Sequence, residues 1–168
     1  MNKQELLKEL RREGFSSFII QAFEKVKREK FIPKEFSQFA YDNNPLPLAI
    51  GSTISQPYTI AFMLQLLELE QLKNKKNIKI LEIGSGSGYV LALLESIMKH
   101  LKIKKCSMYG VEVIDSLVKK SQHILKNKKS IHILQKDGSH GLKEKAPFDR
   151  ILVSAAFKEI PAHLFEQL

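Results

Sequence analysis

Apolar positions follow two rhythms along the chain. In the first seventy residues they recur at helical spacing. Residues 3–13 predict a short amphipathic helix with Gly14 as its stop. Ser16 or Ser17 can cap a second helix, whose Phe18, Ile19, Ala22, Phe23 and Val26 share one face. The Phe31-Ile32-Pro33 run is expected to end it, because the residue before a proline disfavours helix. A passage rich in proline, asparagine and hydroxyls follows, "AYDNNPLPLAIGSTISQP", and a third helix is expected from Pro57 to Leu72. Irregular connections of that length are uncommon unless they bind something.

From residue 78 the rhythm changes. The runs 78–84, 107–113, 131–137 and 149–155 are short, apolar and rich in β-branched residues, as strands are. Helical patterns near 88–100 and 115–126 separate the first three. Strands alternating with helices imply an α/β fold: a doubly wound, mostly parallel sheet with helices on both faces, here carrying an N-terminal helical extension. The layout is one domain, with helices and an irregular loop over residues 1–73 and an α/β core over residues 74–168. Right-handed crossovers place the strand C-terminal ends along one edge, where ligands bind in such sheets.

Composition narrows the picture only a little. Hydrophobic residues make up 43% and charged residues 27%, the balance of a globular chain with a core. No apolar run is long enough to span a membrane, and the polar first helix lacks the apolar centre of a secretory signal. The net charge of +9 is mostly lysine spread along the sequence, with only four arginines. That distribution reads as a solvated surface rather than a nucleic-acid site. One cysteine, Cys106, excludes an internal disulfide and suits a cytoplasmic setting. The five histidines show no paired metal-ligand spacing, so no metal is expected.

The candidate chemistry lies in "LEIGSGSGYV", residues 81–90, a glycine loop straight after the first long strand. A dinucleotide fingerprint would need glycine where Tyr89 stands, and a P-loop would need lysine followed by a hydroxyl residue after its last glycine. Neither phosphate signature is present. Glu82 precedes the loop, Glu112 ends the second strand and Asp137, followed by Gly138, ends the third. A carboxylate at Glu112 can accept hydrogen bonds from both ribose hydroxyls. Three acids on one rim suit a cationic sulfonium nucleoside better than pyrophosphate, which implies the Rossmann-like fold of S-adenosylmethionine-dependent methyltransferases.

With "FIPKEFSQFAYDNNPLPLAIGSTISQPYTIAFM" (31–63), "YGVEV", "KDGSHG" and "ILVSAAFKEIPAHLFEQL" added, the chain resembles the protein-L-isoaspartate O-methyltransferases from about Leu6 to its last residue. The Thr53–Pro57 element is the most specific part of the likeness. The resemblance implies methyl transfer from S-adenosyl-L-methionine, leaving S-adenosyl-L-homocysteine, to the free α-carboxyl of L-isoaspartyl residues in damaged proteins. It implies a catalytic role for Ser55, substrate contacts from Thr53, Ile54 and Ser55, and cofactor contacts from Glu82, Gly84, Ser85, Gly86, Gly88, Glu112, Asp137 and Gly138. Lys136 stands where the family usually has glycine. The family also continues past "EQL" with further strands, so the resemblance implies a C-terminally truncated sheet whose last strand, 149–155, is an open edge suited to self-association. The alternatives are a cofactor-binding chain without activity and an RNA or small-molecule methyltransferase.

Overall fold

The computed structural model describes all of residues 1–168. Helix α1 (Lys3–Arg12) starts on a reciprocal cap: Asn2 Oδ1 accepts from the Glu5 amide at 3.0 Å, and a Glu5 carboxylate oxygen accepts from the Asn2 amide at 2.8 Å. It ends before Gly14 at φ +82°, as the pattern predicts, and buries Leu6, Leu7 and Leu10. Helix α2 (Ser17–Lys25) begins after Ser16 but stops at Lys25, well before Pro33. Val26 turns extended, and a 3-10 turn at Arg28–Lys30 carries the Arg28 side chain fully into the interior.

Between Ala40 and Pro57 the passage is not wholly irregular. Strands β1 (Leu46–Pro47) and β2 (Thr53–Ile54) pair antiparallel as a small hairpin. Helix α3 (Pro57–Leu66) is shorter than expected. Glu68 adopts a left-handed conformation, and a 3-10 turn follows at Leu69–Leu72. The reason lies in burial: Leu67 and Leu69 are both buried, yet two positions apart on a helix face about 200° apart. Breaking the helix lets both reach the core.

The sheet contains β3 (Ile78–Ile83), β4 (Cys106–Glu112), β5 (Ile131–Gln135) and β6 (Arg150–Val153), in the order β5-β4-β3-β6 and all parallel. Helices α4 (Tyr89–His100) and α5 (Asp115–Leu125) make the crossovers. Alternate residues of β3 feed two apolar clusters. Ile78 and Ile80 join the main core beneath α1 to α4, while Leu81 and Ile83 face a smaller cluster with Val111, Leu142, Phe148 and Leu164. The second face thus has a thinner cover than the expected helix layer. Two 3-10 turns between β5 and β6 and the short α6 (Ala162–Phe165) provide it.

Gln167 pins that cover in place. Its buried side chain accepts from the Leu142 amide at 2.7 Å and donates to the carbonyls of His140 at 3.0 Å and His163 at 3.2 Å. Strand β6 pairs with β3 on one side only, so its outer edge is open. No helix is long and apolar enough to cross a membrane.

Candidate active site

Chain direction around the sheet fixes where a ligand can sit. From β3 the connections run outward through β4 to β5, and the chain then returns to place β6 on the other side of β3. The loops after β3 and β6 therefore diverge, opening a crevice at the C-terminal edge. A cleft of about 620 Å³ occupies it, walled by Gly51–Thr53, Ser55, Gly84, Gly86, Glu112, Asp137, Gly138 and the Ser154–Phe157 stretch. Beneath lies a recess of about 40 Å³ lined by Ile54, Ser55, Glu82, Ser85, Tyr89 and Ser154, among others. Thr53, Ser55, Gly84, Gly86 and Ser154 border both.

Close backbone approach explains the glycine loop. At Gly84, φ is +75° and an added Cβ would lie 2.8 Å from the Ala155 Cβ, so the loops after β3 and β6 touch only because that atom is missing. Gly84→Ala should therefore cost about 1–3 kcal/mol in urea unfolding and lower cofactor affinity; wild-type stability in that variant would contradict the close contact. Gly88, which the resemblance places at the cofactor, has a packing role. It lines neither cavity, and a Cβ there would come within 2.7 Å of Leu125, so it lets α4 begin against α5.

The three acids sit in three different environments. Glu82 is 1% exposed; its Oε1 accepts from the Ser154 hydroxyl at 2.8 Å, and its Oε2 has no partner. Burial pushes its carboxyl up to about 8, against the pull of the Ser154 hydrogen bond and with a further push from Glu112. Glu112 is held by three backbone amides: Gly86 at 2.8 Å and Val113 and Ile114 at 2.9 Å each. A carboxylate has about four lone-pair sites, so roughly one stays open toward the cleft. Asp137 is exposed and caps its own turn through the Ser139 amide at 2.8 Å, which holds its carboxyl below the usual range. Lys136 reaches away to Glu144 at 2.6 Å.

These groups fit a cationic nucleoside. The orphaned Glu82 oxygen and the unpartnered, buried Ser85 hydroxyl both border the recess, and unmatched polar atoms there call for a donor or a positive charge. No group of three or more His, Cys, Asp or Glu side chains is placed to hold a metal.

The opposite wall comes from β2 and the turn into α3. Ile54 is buried in the core, so its side chain serves packing, while Thr53 is exposed and Ser55 half-buried. Ser55 is not a capping serine: Gln56 holds the N-cap position of α3, and its own side chain makes no cap bond. Asn43 Oδ1 instead accepts from the Tyr58 amide at 3.0 Å. Arg28 secures the neighbouring residue, donating to the Asn44 carbonyl at 3.1 Å while its guanidinium lies 5.8 Å from the Tyr89 ring. Burial draws this guanidinium down to about 10. The hairpin turn, Ala49–Ser52, puts Ile50 at φ +48° and Gly51 at φ +73°. For a β-branched residue that conformation costs roughly 1–2 kcal/mol.

Sequence reasoning missed Ser154, Tyr89 and Ile50. Ser154 ends β6 on the ligand edge, a position that could have been read from "ILVSA"; Tyr89 read only as a departure from glycine. All of residues 1–168 match the family described as protein-L-isoaspartate(D-aspartate) O-methyltransferase. A Petrotoga mobilis protein-L-isoaspartate O-methyltransferase is 42% identical over 95% of this chain and 71% of its own length. For that of Opitutus terrae the figures are 38%, 89% and 60%. A Plasmodium falciparum chain described as a protein-L-isoaspartate O-methyltransferase, solved with S-adenosyl-L-homocysteine, superposes with a TM-score of 0.82 at 28% identity, covering 100% of this chain and 80% of that one. The chain thus spans about three fifths to four fifths of these three relatives. Cleft, acid rim, hydroxyl wall and sequence kinship lead to one conclusion: the chain belongs to the protein-L-isoaspartate(D-aspartate) O-methyltransferase family.

Proposed function

We propose that the chain methylates the free α-carboxyl of L-isoaspartyl residues in damaged proteins and peptides, with S-adenosyl-L-methionine as donor. The observation that carries this reading is one cleft with two chemically opposite walls. Glu112 and Asp137 line the negative side above the carboxyl of Glu82, and Thr53 and Ser55 offer hydroxyls on the other. The bound cofactor supplies a methyl group on a positively charged sulfur, which keeps the electron pair of the carbon–sulfur bond as the ester forms.

The chain's own part is binding and alignment. An α-carboxyl with an ordinary pKa of about 3.5 is already ionised at neutral pH, so no side chain has to remove a proton. Ser55 and Thr53 hold and orient the carboxylate, and the positive end of the α3 dipole beside them favours an anion. Alignment of the carboxylate with the carbon–sulfur bond and exclusion of water from the narrow recess contribute most of the rate. Glu82 and Ser154 form the floor beneath the donor.

A single half-buried cysteine, with its thiol pushed up to about 12 by burial and by Asp149, suits a reducing cytoplasm. The open outer edge of β6 suits pairing with a second copy; concentration-dependent sedimentation would reveal it, and a monomer at every concentration would remove that idea. The primary test is transfer of labelled methyl to matched isoaspartyl and aspartyl peptides. Base-labile label on the isoaspartyl peptide alone is the expected result, and equal labelling of the two would contradict the substrate assignment.

A further inference from the structure

The hairpin that presents the hydroxyls has a tip that folding alone does not explain. Ile50 and Gly51 occupy its two central positions with φ +48° and +73°, the pair of positive angles that defines a type I′ turn. Such a turn favours Asn-Gly or Asp-Gly, since a short polar side chain tolerates the left-handed region and a β-branched one does not. The closure is tight: the Leu48 amide donates to the Ser52 carbonyl at 2.9 Å, and the Ser52 amide and hydroxyl donate to the Ala49 carbonyl at 2.9 and 2.6 Å. Ile50 gains no burial in return, for it is 83% exposed, the most exposed large apolar residue of the chain.

The sequence therefore keeps a strained isoleucine in water where asparagine would sit relaxed. Its neighbours Gly51, Ser52 and Thr53 border the cleft, so Ile50 stands just outside the lip of the substrate wall. We propose that Ile50 is a specificity-determining residue: it packs against an apolar side chain flanking the isoaspartyl residue of a bound peptide, on a tip that its closed turn holds rigid. This rests on the isoaspartyl-methyltransferase reading above and adds the class of sequence preferred. Peptides whose isoaspartate lies among apolar residues, the buried segments that unfolding exposes, are its favoured substrates.

The test compares two isoaspartyl peptides, flanked on both sides by leucine or on both sides by serine, with the wild-type chain and with Ile50→Asn. For the wild type, kcat/KM should favour the leucine peptide by roughly fivefold, the scale of one partly buried apolar contact. In Ile50→Asn the ratio should fall to about one through a higher KM for the leucine peptide, with kcat and adenosylhomocysteine affinity unchanged. The variant should also melt higher, as the strained turn relaxes, so a lost preference could not be put down to misfolding. A wild-type ratio near one, or a ratio that persists in Ile50→Asn, overturns the proposal while leaving the activity standing. If neither peptide is methylated, the activity itself falls and this inference goes with it.

Discussion

Ser55→Ala should lower kcat/KM for an isoaspartyl peptide by about 10- to 100-fold, which corresponds to losing one hydrogen bond to a charged group. The residue is half-buried where recess and cleft meet, and it takes no part in capping α3. On the proposed function, losing its hydroxyl should therefore remove a contact with the anionic acceptor and little else. The melting temperature should move by no more than a few degrees, and adenosylhomocysteine should bind as before, because the acid wall is untouched. Thr53→Val should have a smaller effect, since Thr53 is exposed and less desolvated. If the Ser55 variant kept full activity, or lost cofactor binding in step with activity, the hydroxyl would not be the group that orients the carboxylate.

How far the sequence foretold this site depended on the range of the forces involved. The loop Gly84–Gly88 and the acids Glu82, Glu112 and Asp137 were legible because each sits at a strand end, and strand ends in a parallel sheet share one edge by topology alone. The distinct states of those acids were not legible. Glu112 is fixed by amides from its own turn and from Gly86, whereas Glu82 is buried beside a serine 72 positions away. The resemblance implies a cofactor contact for Gly88, and the long-range packing of its backbone against Leu125 is a feature that local pattern does not reveal.

The helical half shows the same division. Gly14 marks the end of α1 through local backbone preference, and that held. The early stops of α2 and α3 are tertiary: one follows the burial of Arg28, the other the need to bury both Leu67 and Leu69. The hairpin hidden in the 40–57 passage escaped notice because its turn lacks the usual Asn-Gly signal. Ile50 stands where that signal would be, so the feature that concealed the turn is also the one that singles out its tip.

Glu82→Gln should make the free protein more stable at pH 8 and a poorer binder of the cofactor. Below about pH 4.5, the ordinary value for this group, the Glu82 carboxyl is protonated in folded and unfolded chains alike. As pH rises from there to about 8, the unfolded chain releases the proton and the folded chain keeps it, so the folded state loses ground throughout that window. Glutamine suffers no such loss and can still accept from the Ser154 hydroxyl. The two proteins should therefore melt alike near pH 4, with the variant gaining progressively above it, by an amount on the order of a few kcal/mol at pH 8. Binding runs the other way. A cationic ligand stabilises the ionised carboxylate, so wild-type affinity for adenosylmethionine should climb between about pH 6 and 8 as the proton becomes easier to displace, by at most about tenfold per pH unit. The variant's profile should lack that climb, and comparing the two cancels any titration of the ligand itself. Melting curves and calorimetric titrations at pH 4, 6 and 8 would decide: parallel profiles for the two proteins would mean that Glu82 is neither held neutral by burial nor ionised by the cofactor.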